Sequence, residues 1–127
     1  MAVDRQRPDI LHVPRRPLPL DQLLITATTS GAAQTFYTVR ALKMLEIKRL
    51  VVANVTGTAA TLTFHAIPSG DSLAVINSVF VGKSIPANDS VDLSDLIGAL
   101  YQTGTAFKAF SGTGSALVLH GWAEELQ

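Results

Sequence analysis

The chain has 127 residues, 47% of them hydrophobic and 16% charged, which is enough apolar mass for one core and excludes a wholly disordered chain. Ten basic residues balance ten acidic ones, so no net charge draws the protein to nucleic acid or to an anionic membrane. Cysteine is absent, which removes disulfides, cysteine-ligated zinc, iron–sulfur clusters and thiol nucleophiles together.

Residues 1–22 hold four of the six prolines (Pro8, Pro14, Pro17, Pro19) and four of the arginines (Arg5, Arg7, Arg15, Arg16). Proline fixes φ and lacks an amide hydrogen, so the segment is expected as an extended arm, neither a helix nor a central strand. Ile10, Leu11, Val13, Leu18 and Leu20 are spaced through it. Apolar side chains on a stiff arm suggest a latch that docks on a partner protein, with Arg5, Arg7, Arg15 and Arg16 pairing carboxylates there. Asp4, Asp9 and Asp21 offset three of those four arginines, too small a surplus for nucleic acid. No apolar segment of signal-peptide type opens the sequence, and no run approaches the roughly 20 residues of a membrane helix, so a non-membrane protein is expected.

From Leu23 the vocabulary becomes that of β-sheets, with Thr, Val, Ala, Ser and Gly in short alternating runs between turn signals. Strands are expected at 23–29 and 35–39. The clearest is 58–67, with Ala60, Leu62, Phe64 and Ala66 on one face and Thr61, Thr63, His65 and Ile67 on the other. Pro68-Ser69-Gly70 ends it. Residues 79–85 run to a Pro86-Ala87-Asn88-Asp89 turn, with a short strand at 90–93. Residues 105–111 and 115–122 flank Gly112-Thr113-Gly114, whose permissive backbone suits a hairpin.

Two regions are ambiguous. Residues 39–50 contain good helix formers but lead into the strand-favouring Val51, Val52 and Val55; a strand from about Lys43 is favoured, with one helical turn before it as the alternative. In that strand Ile47 and Leu50 fall on opposite faces unless a bulge near Arg49 restores the register. Residues 71–78 and 94–101 read as helical turns or loops, with Ser94 placed to cap. Seven or eight short strands without a long helix predict an all-β fold, an antiparallel β-sandwich or jelly roll at 23–127, preceded by the extended arm at 1–22.

The stretch LVVANVTGTAATLTFHAIPSG, followed by AVINSVFVGKSI and PANDSVDLSDLIGALYQTGTAFKAFSGTGSALVLHGW, resembles small β-sandwich virion proteins of tailed bacteriophages over about residues 45–123. The shared features are an apolar strand ending in Asn, a small-residue turn into a Thr-rich strand, a Pro-Ser-Gly turn, an Asp-Leu segment and a final strand with a Gly-aromatic pair. This resemblance implies a structural protein located in the virion and assembled in the host cytoplasm. Its implied partners are copies of itself, as a homotrimer or higher ring, and the major capsid protein or neck and tail proteins.

Candidates for chemistry are sparse. His12, His65 and His120 show no metal-ligand spacing, and no Gly-x-Ser-x-Gly elbow is present. The Asn88, Asp89, Asp92 and Asp95 cluster fits no calcium loop and reads as a turn, a solvent-facing strand residue and a cap. No enzyme activity, metal or cofactor is therefore expected. A competing reading is a carbohydrate-binding or host-recognition module of a fiber or spike, which requires Tyr101, Phe107, Phe110 or Trp122 to be exposed together.

Overall fold

A computed structural model describes residues 14–127, and every described strand pairing is antiparallel. Nine strands follow in order: β1 (Arg15–Ile25), β2 (Gln34–Thr38), β3 (Met44–Asn54), β4 (Ala60–Ile67), β5 (Ser78–Ile85), β6 (Ser90–Asp92), β7 (Leu100–Tyr101), β8 (Ala106–Ser111) and β9 (Leu117–Leu126). They form two facing sheets, ordered β1-β9-β3-β6 with β7 also on β3, and β2-β8-β4-β5. With the two-residue β7 set aside, β1 pairs β9, β2 pairs β8, β3 pairs β6 and β4 pairs β5. Nested pairing of this kind is one long antiparallel hairpin rolled up on itself, the jelly-roll form of the β-sandwich. Among the described residues no helix is long and apolar enough to cross a membrane.

Alternation builds the core. Leu45, Ile47, Leu50, Val52, Leu117, Leu119 and Ala123 point inward from the first sheet, and Ala60, Leu62, Phe64, Phe107 and Ala109 from the second. The register of β3 against β9 shifts between Ile47 and Arg49, the bulge that the hydrophobic pattern requires. Lys48 and Arg49 together occupy one step, so Ile47 and Leu50 both face the core, at 1% and 0% exposure. Gly121 lies opposite Leu50, and a Cβ there would fall inside the envelope of the Arg49 carbonyl oxygen. Only a residue without a side chain fits against this bulge.

The strand at β1 crosses the boundary expected near Asp21. Pro17 and Pro19 sit in it opposite Glu124 and Trp122, and β1 is an edge strand, where a missing N–H is tolerated. Leu20 and Ile25 both reach the core because a register shift between Leu20 and Leu23 absorbs one residue. Residues 15–22 are thus part of the sandwich. A second correction concerns Gly112-Thr113-Gly114. It does not close a hairpin: β8 belongs to one sheet and β9 to the other, so this segment carries the chain between sheets. The residue with positive φ there is Ser115, at 59°.

The ambiguous stretches resolve as one turn of 3₁₀ helix at Val75–Asn77 and another at Ser94–Leu96. Ser94 does not cap; Leu93 occupies that position and no side chain bonds the turn's amides. The sandwich has two ends. The β3–β4 and β5–β6 connections meet at one, where the Asn88 amide donates to the Thr56 carbonyl. The other gathers the β2–β3 turn, the start of β1 and the finish of β9, where the Gln127 amide donates to the Pro14 carbonyl.

Candidate functional site

The residues singled out in the N-terminal segment divide. Arg5, Arg7, Ile10, Leu11 and Val13 lie outside the described residues, as does His12. Leu18 packs against the core and Leu20 is within it. Arg15 and Arg16 pair with carboxylates, as guanidinium chemistry demands, but the carboxylates belong to this chain. Arg15 Nη1 donates to Glu46 Oε1 at 2.7 Å and Glu124 Oε1 at 3.0 Å, while Lys48 Nζ meets Glu46 Oε2 at 3.3 Å. This ladder joins three strands with charges in balance. The Arg15 hydrogen bond, then Lys48, holds the Glu46 carboxyl below its usual range against the opposing effect of burial.

A second cluster lies at the same end. Period-2 alternation from Leu117 through Leu119 and Ala123 puts Glu125 on the core side of β9, and its side chain is 3% exposed. Arg40 grips it through both oxygens, Nε to Oε2 at 2.7 Å and Nη2 to Oε1 at 2.5 Å, and Arg16 Nη2 adds a contact at 2.8 Å. The Arg40 bonds, opposed by burial and reinforced by Arg16, depress the Glu125 carboxyl. Both guanidinium groups remain more than half exposed above this buried anion. With Lys43 they line a pocket of about 210 Å³. Arg15, itself paired with Glu46 and Glu124, also lines it, so the described wall of the pocket carries four cations and the one carboxylate of Glu125. Beside the pocket Leu42 is 90% exposed and held at φ 63°, a left-handed conformation that a leucine adopts only at a cost.

The β4–β5 connection carries a different feature. It folds back over the outer face of the second sheet, which is why His65 and Ile67, on the solvent side of β4 by alternation, are only 4% exposed. Asn77 pins the loop: its Oδ1 accepts from the Ala74 amide at 3.2 Å, its Nδ2 donates to the Ser72 carbonyl at 3.0 Å, and Oδ1 faces His65 Nδ1 at 3.2 Å. Ser78 Oγ donates to the Val75 carbonyl at 2.5 Å. At the tip of this fixed turn Val75 is 84% and Ile76 93% exposed. The sequence offers no signal for it, since Val-Ile ahead of a strand reads as buried.

The aromatic residues required for a sugar platform are dispersed. Phe107 is buried, with its ring 6.1 Å from Phe64 and 4.8 Å from the half-buried Tyr101. Phe110 stacks on His65 on the outside of the second sheet. Trp122 is 42% exposed on the outside of the first, between Pro19 and Arg49. They form no common exposed surface. His65 and His120 likewise sit on different sheets and do not meet. Asp89, Asp92 and Asp95 are exposed on and after the β5–β6 turn, and among the described residues no three His, Asp or Glu side chains are placed to hold a metal ion.

The chain matches no protein-family model and none of the curated proteins.

Proposed function

We propose that this chain is a non-enzymatic structural protein of a tailed-phage virion, assembling with copies of itself on the capsid or at the neck or tail. The observation that carries the reading is the Val75–Ile76 turn. Two aliphatic side chains held almost fully in water by a pinned backbone contribute nothing to this chain's own core, and they are preorganised for burial against another protein. The fold is compatible with that role but does not select it, since jelly rolls serve virus shells and sugar-binding domains alike. Within that range of roles, the resemblance at residues 45–123 is what favours the phage particle as the setting. The anchoring part of the role rests on the sequence of Arg5, Arg7, Ile10, Leu11 and Val13.

The sheet edges favour the same kind of contact. Pro17 and Pro19 interrupt the donors of β1, β5 shifts register twice, β2 once, and β6 and β7 are three and two residues long. Each device blunts strand-to-strand addition. Association therefore proceeds through ends, faces and turns. Labelling the protein in intact particles by electron microscopy tests the role: label at symmetry-related positions on head, neck or tail supports it, and unlabelled particles contradict it.

A further inference from the structure

We propose that copies of this chain join end to end, the acidic end of one sandwich docking on the cationic end of the next; this deepens the homo-oligomeric role proposed above and rests on it. The eleven residues of β3 separate the ends by roughly 30 Å. At one end Arg16, Arg40 and Lys43 surround the 210 Å³ pocket, with exposed Leu42 beside it. Arg40 spends two of its five N–H donors on Glu125 and Arg16 spends one, so both guanidinium groups keep donors for a further carboxylate. At the opposite end Asp89 is exposed in the β5–β6 turn and Asp92 follows it, 67% exposed and 3.8 Å from Arg49. Val55, in the adjoining β3–β4 connection, is 60% exposed.

Each end thus presents an exposed aliphatic side chain, Leu42 or Val55, with guanidinium and ammonium donors beside the first and the Asp89 carboxylate, next to the Asp92–Arg49 pair, beside the second. Surfaces complementary to each other and placed at opposite ends of one molecule make a heterologous contact, which closes into a ring when the rotation per step allows. Leu42 fits this role further. A leucine at left-handed φ is a local cost in the free protein, and such cost at an exposed position is the mark of a residue kept for a contact.

The test is charge reversal with complementation, read by sedimentation velocity of the full chain. K43E removes a cation from the pocket, and D89K/D92K reverses the acidic end; each is first shown to melt like the native protein. Each alone is expected to shift the midpoint concentration for self-association upward by at least about tenfold. Mixed, they restore a one-to-one complex, because the intact acidic end of K43E meets the intact pocket of D89K/D92K. Leu42→Asn is expected to weaken association while leaving the melting temperature equal or higher. Associated native protein that ignores both reversals overturns the end-to-end contact and leaves the structural role standing. Native protein that stays monomeric overturns the contact as well, and its absence from particles overturns the role too.

Discussion

Replacing Gly121 by alanine probes the point where the two central strands of the first sheet approach most closely. The added Cβ would collide with the Arg49 carbonyl oxygen and stand 3.0 Å from both the Arg49 carbonyl carbon and the Leu50 Cα. All three are backbone atoms, so no side-chain rotation relieves the clash. Either β3 and β9 separate locally or the bulge is lost, and losing the bulge turns Leu50, Val52 and Asn54 away from the core. Overpacking of this kind costs about 3 kcal/mol, a large share of a domain's total stability. For a domain of this size that lowers the melting temperature by about 10 °C or more and the urea midpoint by about 1 M or more. Gly57→Ala is the control: nothing lies within 4 Å of its Cβ, so it is expected within about 0.5 kcal/mol of the native protein. A G121A protein that melts within two or so degrees of the control would refute the bulge geometry.

Acid should destabilise the protein through the depressed carboxyls of Glu46 and Glu125. A pKa lower in the folded state contributes stability that is complete above the unfolded value and is lost as pH falls through the folded one. Melting temperature is therefore expected to drop below about pH 4.5, with a shallower drop in E125Q; parallel curves would contradict the assignment. Truncation discriminates the two parts of the N-terminal segment. Removing residues 1–13 leaves every described strand intact and the β-type circular dichroism unchanged, whereas removing 1–22 deletes most of β1, uncovers β9 and yields insoluble protein. Val75→Ser with Ile76→Ser is expected to shift the melting temperature by no more than a degree or two, because both side chains are exposed, while sharply reducing incorporation into particles. Phe64→Ala, at 0% exposure between the sheets, costs about 3–5 kcal/mol by chemical denaturation.

Legibility in the sequence followed the physics of each element. Period-2 alternation is a strong signal, and it located β4, assigned its inward face and even demanded the bulge at Arg49, because Ile47 and Leu50 cannot otherwise share a side. Proline is incompatible with a helix or a central strand but tolerated on an edge strand, so residues 15–22 of β1 read as an arm although they pair with β9. Glycines around Thr113 announced flexible backbone without saying which sheet each flanking strand joins, and that depends on contacts distant in sequence. Glu125 was within reach, since alternation from Leu117 places it inward and a buried carboxylate requires a cation. Val75, Ile76 and Leu42 were not. Nothing local distinguishes an aliphatic residue displayed to solvent from one in the core, and only the surrounding fold decides.

The central proposal, carried by the exposed Val75–Ile76 turn, is that this chain is a repeated component of a particle. Quantitative mass spectrometry of purified phage particles tests it most directly. A structural role in the virion predicts the protein at a copy number that is a whole multiple of the symmetry at its site, retained through particle purification. Particles that are complete and lack the protein would contradict it.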